Sequence, residues 1–303
     1  MILLLSALGL AAAVGYLAQS IGLCMVRGVH ESIKGKPEFL SAILLSGTTA
    51  WIAVFVGQSV GLPLPFRAVS ADSWIAVGGL LFGLGSALNQ GCGVSTLNRL
   101  SRGQLQMSAT LLGWILGWCA LAHWPPPYEP AELGSPSPLS YGVHAALSLG
   151  LGVWALRSHN ARRKLWFSMM GIGLLAGFLF LFNSSWPPSG FLRNLSAALL
   201  HQDELRWPAP TDYALLLALL GGMVFAAWKT RQFQLQLPKL QAWLAHLVAG
   251  VLMGVGAALA LGGNDSQLLL ALPALSPAGV VAVIAMLVGI GLGLDLRRRL
   301  FRD

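Results

Sequence analysis

Long apolar runs alternate with short polar segments along the chain. Nine runs consist almost entirely of apolar residues and lie at 2–23, 39–61, 74–88, 105–123, 139–156, 165–183, 211–228, 240–261 and 277–296. A helix needs about 20 apolar residues to cross the hydrocarbon core of a bilayer, and each run approaches or reaches that length. The pattern therefore predicts an all-α membrane protein with about nine transmembrane helices.

The composition supports this prediction. Of the 303 residues, 55% are hydrophobic and only 10% are charged, whereas a soluble domain carries about 25% charged residues. The net charge is +8, but the basic residues lie in short loops and do not form a stripe interleaved with aromatic side chains. We therefore expect contact with the lipid bilayer and no nucleic-acid partner.

Basic residues concentrate in alternate loops. They are Arg27, Lys34, Lys36, Arg99, Arg102, Arg157, Arg162, Arg163, Lys164, Lys229, Arg231, Lys239, Arg297, Arg298, Arg299 and Arg302. Loops rich in Lys and Arg usually stay in the cytoplasm. The expected N-terminus is then outside and the C-terminus cytoplasmic.

This orientation predicts two inverted repeats. The first repeat covers 1–138, a linker helix with a cytoplasmic loop covers 139–164, and the second repeat covers 165–303. Because the linker contributes one span, the second repeat runs in the opposite direction. Such repeats place a substrate site near the bilayer midplane, among broken helices. Short amphipathic pieces at 26–35 and 190–200 are expected to be re-entrant helices.

Two glycine-rich breaks stand at related places in the two halves. The first contains Gln90, Gly91, Cys92, Gly93 and Ser95, and the second contains Gly263 and Asn264. Their polar groups either satisfy backbone groups at helix ends or line a pathway, where glycine-flanked N–H groups suit an anion. Tight helix packing is the alternative explanation for the neighbouring glycines.

Cys24 and Cys92 are the candidate chemical groups. A thiol donates a weak hydrogen bond, and Arg27 or Arg99 could attract an anion or activate the thiol. Each cysteine alone could instead be a small buried hydrophobe, which is our interpretation of Cys119. The cysteines lack metal-ligand spacing, so we expect no metal and no cofactor. No carboxylate lies at the centre of an apolar run, which favours passage without a proton site.

Three segments carry a family resemblance. They are Gly22-Leu-Cys24-Met-Val-Arg-Gly28, Gly83-Leu-Gly-Ser-Ala-Leu-Asn-Gln-Gly-Cys92 and Gly254-Val-Gly-Ala-Ala-Leu-Ala-Leu-Gly-Gly263. Together they resemble the sulfur-transport (YeeE/YedE) family, which includes bacterial thiosulfate-uptake membrane proteins. The resemblance implies an hourglass-shaped, inverted-repeat protein whose cysteines contact thiosulfate at a constriction. Cys24 and Cys92 match two of these cysteines, whereas Gly263 or Asn264 stands at the place of a third.

The resemblance implies a non-enzymatic permease of the bacterial inner membrane for a sulfur-containing anion such as thiosulfate. A cytoplasmic sulfur-carrier protein is a candidate partner. Two alternatives stay open at this point. One is a membrane thiol–disulfide oxidoreductase that uses Cys24 and Cys92 as a redox pair. The other is a non-transporting membrane partner protein with a degraded site, which would fit the missing third cysteine.

Overall fold

The computed structural model describes residues 1–124, 128–134, 137–200 and 207–300, so Arg302 lies outside the described residues. The long helices are α1 (Ile2–Ser20), α5 (Ser73–Asn89), α7 (Gln106–His123), α8 (Pro138–Leu156), α9 (Asn160–Phe182), α11 (Pro210–Lys229), α12 (Leu240–Leu259) and α14 (Pro277–Leu300). The shorter ones are α2 (Met25–Ile33), α3 (Glu38–Leu44), α4 (Ala50–Ser59), α6 (Gly93–Ser101), α10 (Pro188–Leu199) and α13 (Asn264–Ser266). A two-stranded antiparallel ribbon pairs β1 (Ala68–Val69) with β2 (Glu132–Gly134).

Within these residues, 8 helical segments are long and apolar enough to cross a membrane. They are Ile2–Ile33, Glu38–Ser59, Ser73–Ser101, Leu139–Leu156, Asn160–Phe182, Pro210–Lys229, Leu240–Leu259 and Pro277–Arg299. The fourth predicted run, 105–123, forms α7 but is not among them, because polar residues at its ends, Gln106 and His123, lower its mean hydropathy. The all-α, multi-pass architecture is confirmed.

The second apolar run is not one straight helix. A buried 3-10 turn, Ser46–Thr49, separates α3 from α4. The side chains of this turn bond to nearby carbonyls: Ser46 Oγ donates to Ile43 O at 2.7 Å, and Thr49 Oγ1 donates to Met170 O of α9 at 2.8 Å. These bonds satisfy polar groups that would otherwise be costly at membrane depth. The break therefore fixes this segment against α9.

The two halves repeat one order of elements. Each has a long helix, a short helix, a membrane segment, a long helix, a short element and a final long helix, and α8 joins the halves. Equivalent helices have equivalent neighbours. Helix α1 packs against α11, and its counterpart α9 packs against the segment containing α4. Helix α7 packs against α12, and its counterpart α14 packs against α5. Helices α5 and α12 meet at the centre, as do α1 and α9. This arrangement fits the predicted inverted repeat.

Candidate functional site

The starting residues of four short helical elements meet in the interior. The N-cap residues of α2, α6, α10 and α13 are Cys24, Cys92, Pro187 and Gly263, and all four have extended backbones. Three hydrogen bonds connect these starts. The N–H of Met25 donates to Cys92 Sγ at 3.4 Å, the N–H of Gly93 to Asn264 Oδ1 at 3.1 Å, and the N–H of Ser189 to Asp265 Oδ2 at 2.9 Å.

The thiols of Cys24 and Cys92 lie next to each other. The Cys24 side chain adjoins Cys92, Ser95 and the start of α2, and the N–H of Met25, the residue after Cys24, donates to Cys92 Sγ at 3.4 Å. Ser95 Oγ also lies 3.5 Å from Cys92 Sγ and donates to Cys92 O at 3.0 Å. Cys92 is completely buried, whereas Cys24 is partly exposed, and neither forms a disulfide. The structure therefore brings together the two thiols that the sequence singled out.

The backbone of the two breaks settles which residue is equivalent to Cys92. Gln90 and Leu261 both have a left-handed backbone, with φ of 58° and 62°. Gly91 packs against Ser95 Oγ, and Gly262 packs against Ser266 Oγ in the same way: a Cβ built at either glycine would lie 2.7 Å from the serine oxygen. The residue after Gly91 is Cys92, and the residue after Gly262 is Gly263. Gly263 is thus the equivalent of Cys92, and Asn264 corresponds to Gly93.

Gln90 itself points elsewhere. Its side chain is exposed and lines a surface groove with Leu88, Gln241 and Arg297. The structure therefore does not bring the Gln90 side chain to the thiols. Its contribution is the left-handed turn that ends α5 and starts the break.

A small cavity lies between Cys92 and the second break. Its volume is about 30 Å³, and it is lined by Leu23, Met25, Ile43, Ser46, Cys92, Val94, Met169, Ile172, Asn264, Asp265, Leu268 and Leu269. A water needs about 10–15 Å³ by this measure. The cavity therefore has room for about two waters, which is too little for a five-atom anion such as thiosulfate.

Arginines surround the Cys24 side of the site. Arg27 pairs with Glu31 at 2.7 Å and lies over the Phe39 ring, 4.3 Å from its centroid. A Cβ built at Gly22 would lie 3.4 Å from Arg27 Nη1 and 3.9 Å from Arg102 Nη2. The two guanidinium groups therefore flank the turn that precedes Cys24. Arg102 was not among the predicted site residues, although its loop was predicted to be basic.

Arg99 has a different environment from Arg27. Its Nη1 donates to Asn89 O at 2.8 Å, and its Nε donates to Gln104 Oε1 at 2.6 Å. Asn89 is the last residue of α5, so Arg99 satisfies a carbonyl at that helix end. This contact anchors the polypeptide immediately before Cys92.

Sequence reasoning missed Trp114. A Cβ built at Gly93 would lie 2.8 Å from Cη2 of Trp114, and one built at Gly263 would lie 3.1 Å from Cζ2 of the same ring. The indole therefore packs against the starts of both α6 and α13. Trp114 is only 2% exposed, and its N–H has no hydrogen-bond partner among the described residues. A run of apolar residues gave no signal that this tryptophan faces the site.

Sequence reasoning counted Asp265 among the polar residues of the second break and not as a carboxylate within the membrane. The prediction placed 262–276 in a loop on the outer side of the membrane and found no carboxylate at the centre of an apolar run. In the structure Asp265 is only 5% exposed and lines the cavity beside Cys92. The segment is not an open loop here, because α13 and a π-helical turn, Gln267–Ala271, follow the break and bury Asp265 together with Gln267, Leu268 and Leu269.

Comparison with known proteins identifies the family. The family model described as sulphur transport matches residues 22–156 and again residues 137–292. The chain belongs to the sulphur transport family. The two matches overlap in α8, so each half of the chain resembles the family unit, as the repeated order of elements indicates. No curated protein matches the chain.

Family membership and the apolar helices together make this protein a multi-pass membrane transporter of a sulfur compound. The family is one of transporters, which agrees with the prediction that the protein is not an enzyme. A small anion as substrate and the lipid bilayer as surroundings follow from the same membership.

Proposed function

We propose that this protein is an inner-membrane permease for a sulfur-containing anion such as thiosulfate, and that the anion passes the thiols of Cys92 and Cys24. The observation that carries the proposal is the contact between these thiols at the N-termini of α6 and α2. A helix N-terminus presents unpaired N–H groups and a partial positive charge, which favour an anion.

The surrounding groups suit a soft, polarisable anion. A thiol is a weak donor that matches the terminal sulfur of thiosulfate, and glycines at 91 and 93 let Ser95 and Trp114 pack close to the thiol site. The N–H of buried Trp114, which has no partner among the described residues, offers a further donor, because a buried donor without a partner is unfavourable until a ligand accepts from it. Ser95 and Asn264 complete the polar lining.

The direction of passage follows from the loop charges. With the basic loops in the cytoplasm, Arg27 and Arg102 lie on the inner side of Cys24, and the N-terminus is outside. The guanidinium groups would then receive the anion after the thiols. In this scheme the two repeats are residues 1–138 and 165–303, and residues 139–164 are the linker between them. A sulfur-carrier protein would collect the anion in the cytoplasm.

The adjacent thiols also favour a second function, a thiol–disulfide oxidoreductase. Contact between Cys24 and Cys92 would allow a disulfide to form. However, Cys92 is fully buried, and a redox partner must reach at least one sulfur to exchange electrons. Partly exposed Cys24 meets this requirement, so burial does not exclude the oxidoreductase. The permease is the better-supported function because the chain belongs to a transport family.

Uptake by the purified protein in proteoliposomes tests the proposal. We expect labelled thiosulfate to enter vesicles containing the wild-type protein. Cys24→Ala and Cys92→Ala should each lower the rate by about tenfold or more, the effect of losing one hydrogen bond to a charged ligand. Cys119→Ala is the matched control, because Cys119 lies on α7 and contacts Ser196 O at 3.8 Å. Unchanged uptake in the double variant Cys24→Ala/Cys92→Ala would overturn the proposal, and reduction of a protein disulfide without uptake would favour the oxidoreductase.

A further inference from the structure

The second repeat has a carboxylate where the first repeat has a thiol. Gly263 is the equivalent of Cys92, and a Cβ built at Gly263 would lie 2.8 Å from Asp265 Oδ1. The Asp265 side chain therefore occupies the space into which a side chain at 263 would extend. A glycine at 263 and an aspartate at 265 together replace the thiol by a carboxylate.

Asp265 is held by neutral donors. Its Oδ2 accepts from the Ser189 N–H at 2.9 Å, and its Oδ1 accepts from the Ser266 N–H at 2.9 Å. None of the described Lys, Arg or His residues forms an ion pair with it. A buried carboxylate without a cation is unusual, and within a membrane protein it often marks a proton site.

Among the described residues, the elements packed against Asp265 supply no cationic side chain that pairs with it, and α10 contributes only the N–H of Ser189 at its N-terminus. From α6, Cys92 lines the same cavity, and Arg99 is engaged by Asn89 and Gln104. From α10, Arg193 is exposed and directs its Nε to Asn194 at 3.4 Å. The π-helical turn carries no titratable residue, and α9 contributes apolar Met169 and Ile172 to the cavity.

These contacts have a consequence for an anion in the pathway. Asp265 and Cys92 line one cavity, so an anion that reaches the Cys92 thiol comes close to the carboxylate. An ionised Asp265 would repel it in a region of low dielectric constant. A protonated Asp265 would remove the repulsion and could donate a hydrogen bond to the anion.

We propose that Asp265 carries the coupling proton of this transporter, so that each anion crosses together with one proton bound at the Asp265 carboxylate. This inference rests on the proposed function, because it assigns a role to a carboxylate beside the proposed anion pathway. In each cycle the proton joins Asp265 from the outer side, the anion passes, and the proton leaves to the inner side. One proton lowers the net charge moved with a thiosulfate dianion from −2 to −1.

Proteoliposomes with a trapped pH indicator and a clamped membrane potential test the inference. With the wild-type protein, addition of thiosulfate outside should acidify the lumen as labelled thiosulfate enters. A pH difference of about one unit, alkaline inside, should drive accumulation of up to about tenfold. Asp265→Asn keeps the shape of the side chain but cannot carry the proton, so its uptake should neither acidify the lumen nor respond to the pH difference. Asp265→Glu should restore part of the coupling.

Asp295→Asn is the matched control, because Asp295 forms an exposed pair with Arg299 and should leave coupling unchanged. Thiosulfate uptake by the wild type without luminal acidification would overturn the inference and leave the permease function intact. This result needs no variant and therefore does not depend on whether Asp265→Asn folds. Absence of any wild-type uptake would overturn both. Equal pH-driven accumulation by Asp265→Asn and the wild type would overturn the role of Asp265 alone.

Discussion

The backbone N–H of Gly93 donates a hydrogen bond to the side-chain oxygen of Asn264 at 3.1 Å. The bond joins the first residue of α6 to the first residue of α13, and so connects the two repeats at the candidate site. Asn264 is only 2% exposed. Water therefore cannot replace the bond without a change in packing.

Replacing Asn264 by alanine should destabilise the protein by about 1–3 kcal/mol, because the Gly93 N–H would be buried without a partner. Thermal unfolding in detergent, followed by tryptophan fluorescence, measures the effect. Asn160→Ala is the control, since Asn160 is exposed and accepts from Arg163 at the surface. Equal melting temperatures for the two variants would show that the inter-repeat bond contributes nothing.

The contact between Cys24 and Cys92 predicts a specific cross-link. Treatment with diamide should convert the two thiols to a disulfide with loss of two hydrogen atoms, while Cys119 remains available for alkylation. Intact-mass and peptide analysis under non-reducing conditions would detect the product. The cross-linked protein should also take up no thiosulfate, and a reductant should restore uptake.

Cys24→Ala is the control for this cross-link and should leave Cys92 reduced. Cross-links that join Cys119 to either cysteine in the folded protein would contradict the arrangement, because Cys119 packs against α10.

The sequence predicted most of the architecture, because membrane spans depend on length and apolarity alone. The bounds of α5 and α12 agree with the apolar runs to within about two residues. The same logic failed at Ser46–Thr49, where a buried turn interrupts a continuous apolar run, since side chains of the turn bond to carbonyls of other residues. Hydropathy does not register such tertiary bonds.

The candidate site was only partly predictable. Cys24 and Cys92 stood out because each follows a helix beside glycine, and the structure places their thiols together. Trp114 did not stand out, and Asp265 was only one of several polar residues of the second break. An indole in an apolar run looks like any lipid-facing residue, and an aspartate after Gly262-Gly263-Asn264 looks like part of a loop. Their positions depend on how α7, α10 and α13 pack.

Gly263 should tolerate no side chain. A Cβ there would lie 2.8 Å from Asp265 Oδ1, 2.9 Å from Ser189 Cβ and 3.1 Å from Trp114 Cζ2. We therefore expect Gly263→Ala to cost about 1–3 kcal/mol through overpacking. Denaturation in detergent measures the cost, and uptake should fall because the carboxylate and indole must move.

Gly142→Ala is the control for this substitution. Gly142 lies within α8, and no atom comes within 4 Å of a Cβ built there. Alanine is also the better helix former, so this variant should be as stable as the wild type or slightly more stable. A Gly263→Ala protein that is as stable as Gly142→Ala would refute the packing described for the second break.

The position of the turn before Cys92 should depend on Asn89 more than on any other polar residue. Its Oδ1 accepts from Thr110 Oγ1 at 2.7 Å and lies 2.8 Å from His246 Nδ1. Its Nδ2 donates to Gly91 O at 2.9 Å and to Thr96 Oγ1 at 2.8 Å. The amide thereby fastens the turn before Cys92 to α7 and α12.

Asn89→Leu should lower the free energy of unfolding by about 1–3 kcal/mol for each buried group left unpaired, and it should also slow uptake. Asn89→Asp is the informative partner variant, because it keeps the acceptors for Thr110 and His246 but loses the donors to the turn. If the position of the turn before Cys92 determines the transport rate, the Asn89→Asp variant should lose more uptake than stability. Parallel measurements of melting temperature and initial uptake rate separate the two effects. An Asp variant with wild-type uptake would show that the amide supports the fold and not the thiol site.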